Sequence, residues 1–222
     1  MTPKVNELKK ILREPTVEFA KTKIVDFDNN EKLNEKVLEK VFNPDVLNNQ
    51  SKENILARVI ILDRLYSTRL NDYETDKPNT KPSIKEVTEI IYGFELDGRF
   101  NSCRNTKDVI ELVEDFLKCF NGKQNPYSFI TKYCSFRLTG LSVPIQDSFV
   151  KGLLYYYNEC EEYRFRERFK QIEIKDYSFF CKVYYRFVDN YKLDELSTKS
   201  IDKFLWMYAK ELSREGNNIQ IF

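Results

Sequence analysis

What most constrains this chain is a helical repeat that returns in almost every segment, with little glycine or proline to interrupt it. In 31-EKLNEKVLEKVF-42 the spacing predicts a helix with Leu33, Val37, Leu38 and Val41 on one face. Asn43-Pro44 ends that run. The stretch 51-SKENILARVIILDRLYST-68 opens on Ser51 as an N-cap and is apolar enough for a central helix. In 83-SIKEVTEIIYGF-94, Ser83 and Glu86 form the S-x-x-E capping box. Asn105 or Thr106 caps 106-TKDVIELVEDFLKCF-120, and Asn121-Gly122 stops it. Further helical runs are expected at 148–158, 161–170, 176–191 and 197–212.

Six glycines and seven prolines are too few for the turns of a sandwich or barrel. The expected fold is all-α, with about ten helices. The segment 15-PTVEFAKTKIVDF-27 leaves two readings open, a short strand pair or an extended arm. Residues 71–82, NDYETDKPNTKP, form the clearest loop and a candidate boundary. With 41% hydrophobic and 14% aromatic residues, the 222-residue chain can bury one large domain or two small lobes. The expectation is one globular helical unit over 1–222, two-lobed about a cleft, with a second-lobe core around 83–145.

Several function classes drop out early. The histidine count is zero, which removes Ser-His-Asp and Cys-His catalysis and every histidine metal site. Five scattered cysteines with no CxxC offer no zinc or iron–sulfur site. Their odd number, in a chain with no apolar leader, points to reduced thiols in the cytoplasm. Cys119 and Cys181, in apolar runs, are expected as small core residues. No apolar run reaches membrane-spanning length. A net charge of +1 supplies no global field for an anionic partner, so a local patch must do so.

Such a patch lies between Phe116 and Asn158. Its basic residues are Lys118, Lys123, Lys132, Arg137 and Lys151, and its one acid is Asp147. Lys132 sits among Tyr127, Phe129, Ile130, Tyr133, Cys134 and Phe136, which cover most of a helix circumference. A lysine held in such a place has its ammonium disfavoured by desolvation, leaving an amine able to attack a sugar C1′ or a carbonyl. Asp147 follows the turn VPIQ and precedes SFVKGLLYYY, at a helix N-terminus that favours a carboxylate. The plainer readings stay open beside these. A lysine on an aromatic helix can snorkel to water, and an aspartate before a helix can be only a cap. Basic residues interleaved with Tyr127, Tyr133 and Phe136 suit a phosphate backbone and a stacked base, or a solvated face. Trp206 reads as core, and one of Tyr155, Tyr156 and Tyr157 must turn away from it.

The runs YSFITKYCS and VPIQDSFV, with ILDRLYSTRL and SIDKFLWMYAKE, resemble a bacterial family with the fold of 8-oxoguanine DNA glycosylase. Its wider group is the helix-hairpin-helix DNA glycosylases. The resemblance implies that Lys132 is the Schiff-base lysine and Asp147 the catalytic aspartate. It implies base flipping, displacement of a modified base at C1′ by the amine, then β-elimination, with no cofactor. DNA is the implied partner, contacted by Lys118, Lys123, Arg137, Lys151 and Arg69. The base pocket implied is Tyr66, Tyr127, Tyr133 and Phe136, with the LYSTRL region, including Ser67 and Thr68, near the flipped base's gap. At the hairpin's place the chain reads NGKQNPYSFI, where Gly122 and Pro126 shape a turn and Lys123 nears the phosphate. Two other classes compete. One is a catalytically inactive DNA-binding module of the same fold, serving a defence or mobile-element system. The other is a helical interaction protein in which Lys132 and Asp147 form a buried ion pair.

Overall fold

A computed structural model describes residues 10–43, 45–46, 51–66, 68–72, 77, 80–120, 122–137, 141 and 143–214. Among them the protein is all-α, with no β-strand and one isolated bridge between Asn71 and Ser83. The helices are α1 Val17–Phe42, α2 Lys52–Tyr66, α3 Ile84–Gly93, α4 Leu96–Phe100, α5 Thr106–Leu117, α6 Tyr127–Arg137, α7 Ser148–Glu159, α8 Tyr177–Asn190 and α9 Thr198–Arg214. Short 3-10 turns occupy Lys118–Phe120 and Glu173–Lys175.

The chain divides into two compact units. One comprises Met1–Glu31 with Pro144–Phe222, the other Lys32–Val143. The division falls inside α1 and just before Pro144. The loop 71–82, expected as a candidate boundary, lies within the second unit. Pro44, Ser67 and Asn121 lie outside the described residues, as does part of that loop.

In the first unit, the segment left open between a strand pair and an arm is the opening half of α1. Thr16 accepts the Phe19 N–H on its hydroxyl at 3.2 Å and the Ala20 N–H on its carbonyl at 2.9 Å, so Pro15 and Thr16 start the helix. Ala20, Lys23 and Phe27 are buried at helical spacing. Phe19 meets the rings of Phe204 and Tyr208, and Phe27 meets Trp206. Trp206 itself is only half-buried, with the Lys210 ammonium 4.0 Å from its ring centroid. Helix α7 packs on α9 and α8. Tyr156 and Tyr157 are buried and Tyr155 is half-buried. Residues 161–170 are not helical. The Asn158 side chain donates to the Glu167 carbonyl and accepts from the Arg166 N–H, both at 3.2 Å, which takes up backbone bonds a helix would need.

In the second unit, α2 packs on α3 and α6, and α5 on α4 and α6. The capping box opens α3: Glu86 accepts the Ser83 N–H at 2.7 Å and Ser83 accepts the Glu86 N–H at 3.1 Å. Asn105 caps α5 by accepting the Asp108 N–H at 3.0 Å. That helix tightens into a 3-10 turn at Lys118, which buries Phe120 and leaves Cys119 exposed, contrary to its expected core place. Cys181 is buried as expected. The face predicted for 31–42 is also corrected. Leu33 is 75% exposed and Val37 37%, while Glu35, Leu38 and Phe42 are buried. Among the described residues no helix is long and apolar enough to cross a membrane.

Candidate functional site

The residue that organises the second unit's site is Lys132 on α6. Six consecutive residues, Phe129 to Cys134, are buried, so α6 is enclosed on all sides there, as its aromatic run predicts. Lys132 is only 4% exposed. Its ammonium does not snorkel outward. It donates to the Ser128 hydroxyl one turn back, at 3.0 Å, and lies 5.2 Å from the centroid of the Tyr66 ring. Tyr66 ends α2, and its phenol donates to Glu35 on α1. Phe136 stands 6.1 Å from the Tyr66 ring and 5.7 Å from Phe42.

The structure thus brings together three expected residues, Lys132, Tyr66 and Phe136, and adds two that sequence reasoning missed. Ser128 carried a faint signal, because it precedes Lys132 by one helical turn. Glu35 carried none that stands without the fold, since a glutamate among lysines reads as solvated.

Two other expected residues point elsewhere. Tyr133, expected at a base, is fully buried and donates its phenol to Asp97 at 3.1 Å. Arg137, expected on DNA, is buried with its Nε 3.2 Å from the Asp97 carboxylate. It also donates to the Asp97 carbonyl at 3.3 Å. Arg58 completes the cluster, 3.1 Å from the same carboxylate. Burial pushes the Asp97 carboxyl above its ordinary range, and the charges of Arg137 and Arg58 oppose that shift. Burial also pushes the Tyr133 phenol well up. Both side chains tie α6 to Asp97 of α4.

The remaining candidates of this unit are outward. Lys118 is exposed beside Asp115 at 2.7 Å. Tyr127 is half-buried and accepts from the Asn125 amide at 3.3 Å. Arg69 is exposed, with a left-handed φ of 62°. Lys123 pairs with Glu86 at 3.1 Å and, with Pro82, Glu89, Cys119 and Phe120, lines a pocket of about 250 Å³ that none of the base-pocket candidates reaches. In the hairpin-like stretch, Gly122 takes the left-handed φ of 79° that the turn requires. The N–H of Lys123 donates to the Phe120 carbonyl and that of Gln124 to the Thr80 carbonyl, so these two amides are engaged within the unit.

Asp147 and Lys151 belong to the first unit, Lys132 to the second, and each is described where it stands. Asp147 is 7% exposed and caps α7, accepting the Phe149 N–H at 2.9 Å. Its turn is fixed by side chains from two helices. Asp202 of α9 accepts the Ile145 N–H at 3.1 Å, and Tyr177 of α8 donates to the Pro144 carbonyl at 3.1 Å. Gln146 donates to the carbonyls of Ile174 and Lys175. Lys151 follows on α7. Burial pushes its ammonium below the usual lysine range; Asp147 opposes that shift and Lys175 adds to it. Among the described residues no group of three or more His, Cys, Asp or Glu is placed to hold a metal ion.

Residues 16–139 match the model of a family described as the HI_0787_N N-terminal domain. An uncharacterized protein of Haemophilus influenzae strain Rd is 29% identical over 169 residues, covering 75% of this chain and 71% of the relative. No solved structure matches the chain. The matched family segment contains Glu35, Tyr66, Ser128 and Lys132 and ends before Asp147.

Proposed function

The chain belongs to the HI_0787_N N-terminal domain family, and from the surroundings of Lys132 we propose that it is a glycosylase-like protein that removes a modified base from DNA through that residue. The observation that carries this reading is the placement of one amine, 4% exposed, against an aromatic face and a hydroxyl. An amine held out of bulk water is suited to covalent attack on carbon.

In the proposed reaction the Lys132 nitrogen bonds to C1′ as the bond from C1′ to the base breaks. The base leaves with that electron pair and takes up a proton. Loss of the amine proton and opening of the C1′–O4′ bond then give a Schiff base. Asp147 stabilises the charged sugar in a two-lobed, glycosylase-like fold. The reading places the protein with DNA in the cytoplasm, with Lys118, Lys123, Lys151 and Arg69 as its phosphate contacts.

Sodium borohydride trapping tests it, on duplexes carrying an abasic site, 8-oxoguanine or uracil. Hydride adds to the imine carbon and fixes the adduct. A covalent complex formed by the wild-type chain and lost in Lys132→Gln is the expected result; no complex on any of these duplexes removes the lyase reading for those substrates.

A second reading, a DNA-binding module without catalysis, has its own support. The Lys132 nitrogen is already engaged by the Tyr66 ring and the Ser128 hydroxyl, contacts that suit a structural lysine. Binding that weakens with salt, without any trapped adduct, selects this reading.

A further inference from the structure

Inside its own unit, Lys132 is linked through the Tyr66 ring to a carboxylate, that of Glu35. Glu35 is 7% exposed, on the helix α1 face that also buries Leu38 and Phe42. A glutamate at such a position is costly unless its charge is met. It accepts the phenol hydrogen of Tyr66, and the other side of that residue, its ring face, lies under the Lys132 ammonium. Phe136, on the same helix as Lys132, closes against the Tyr66 ring and against Phe42. The ring is therefore held at its rim by a hydrogen bond from one helix and along its side by packing from another.

We propose that Glu35 is a positioning residue for Lys132, fixing the Tyr66 ring on which the ammonium rests. Its relevance to catalysis depends on the glycosylase reading; the positioning does not. A phenol that donates to a carboxylate carries more electron density on its ring face, which strengthens its attraction for a cation. It also loses freedom to rotate away, so the amine is presented from one direction. Removing the carboxylate takes away one of the holds on the ring, and removing the ring takes away one of the contacts that place the amine. Placement of a reacting group is worth large factors in rate, so a loosened amine is slow even where it is chemically intact.

The test uses the full chain with lysine labelled at Cε with carbon-13. The Lys132 signal is assigned by its loss in Lys132→Arg. With its Nζ over the Tyr66 ring, 5.2 Å from the centroid, its Hε protons are expected upfield of the other lysines. In Tyr66→Leu the signal loses its upfield shift, and in Glu35→Gln it loses part of it, while the other lysine signals stay in place. A Lys132 signal in Glu35→Gln that coincides with wild type overturns the proposal. Movement of every lysine signal together marks loss of fold, and then Tyr66→Phe, which keeps the ring and removes only the hydroxyl bond to Glu35, decides by the same readout.

Borohydride trapping separates this inference from the reading beneath it. If the wild-type chain forms an adduct, Glu35→Gln slows its formation by up to about 100-fold. An adduct formed at the wild-type rate in Glu35→Gln sinks the inference and leaves the glycosylase reading standing. No adduct from wild type, with the Lys132 signal still following Glu35, removes that reading and leaves the positioning intact.

Discussion

The Arg58 guanidinium lies 3.1 Å from the Asp97 carboxylate, and both side chains are closed off from water. Arg137 and Tyr133 approach the same carboxylate from α6, so one acid ties α2, α4 and α6 together. Asp97→Ala takes from two buried guanidinium groups the carboxylate they share. The expected loss is about 3–5 kcal/mol. Urea unfolding checks it, as a lowered midpoint at an unchanged slope. A loss below about 1 kcal/mol means that the cluster does not hold the unit together.

The parts of this fold that could be read ahead are the local ones. Ser83 and Glu86 are three residues apart and signal their helix by themselves, as do Asn105 and Asp147 before theirs. The enclosure of Lys132 was legible because its apolar neighbours lie on the same helix. Asp97 was not, because its partners are 36, 39 and 40 residues away and its five-residue helix carries no periodic pattern. The burial of Arg137 and Tyr133 against that carboxylate was hidden for the same reason. Glu35 fails in the same way. The repeat of 31–42 offers Leu33 and Val37 as the buried face, and the Tyr66 phenol that helps make a buried glutamate acceptable lies 31 residues on. The opening of α1 was obscured by valine, isoleucine and threonine, whose preference for strands packing overrode.

Glu86 serves both the α3 cap and Lys123. Burial works to raise its carboxyl, yet the Ser83 N–H and the Lys123 ammonium outweigh that and hold it below its ordinary value of 4.5. A folded-state value below the unfolded one stabilises the fold above pH 4.5, and the contribution is lost as pH falls through the folded value. Glu86→Gln is therefore expected to flatten the acid side of the stability profile. Ser83→Ala, which removes the other half of the box, costs about 1 kcal/mol at neutral pH. Thermal unfolding from pH 3 to 7, as a rough range spanning that titration, reads both.

Arg69 has a left-handed φ of 62°, which disfavours a side chain with a Cβ by about 1–2 kcal/mol. The conformation is fixed by Asp63, which accepts the Leu70 N–H at 2.9 Å and the Thr68 hydroxyl at 2.6 Å. Arg69→Gly relieves the strain at some entropic cost and is expected to stabilise the fold by up to about 1 kcal/mol. The same variant examines the proposed phosphate contact. If Arg69 meets a phosphate, the slope of log affinity against log salt shrinks by about 0.9 in Arg69→Gly. An unchanged slope removes Arg69 from the DNA contacts.

Asp202 reaches the turn that carries Asp147 without touching Asp147 through any bond needed for its cap. It accepts the Ile145 N–H at 3.1 Å. Asp202→Ala leaves that amide without its acceptor and costs about 1–3 kcal/mol. Asp202→Asn keeps an acceptor and costs less. If Asp147 acts on the sugar, the trapped yield falls in Asp202→Ala by more than stability explains and recovers in Asp202→Asn. Equal yields in both variants confine Asp202 to the fold.

Lys151 provides a second pH test, at the alkaline end. Burial, with Lys175 nearby, holds its ammonium below the usual 10.5 despite the opposing charge of Asp147. Below the folded-state value both the folded and unfolded chains carry the proton, and the folded chain bears the cost of burying it. Between that value and 10.5 the unfolded chain keeps a proton that the folded chain has released, so stability rises with pH across this window. Lys151→Met removes the buried charge while keeping an apolar stem of similar length. The variant is expected to be more stable than wild type at neutral pH, with the advantage shrinking as pH approaches 10.5. Unfolding in urea at neutral pH and again near 10 measures the gap. A gap that widens with pH means that Lys151 gains more from Asp147 than it loses to burial, and the amine is then a paired cation on α7.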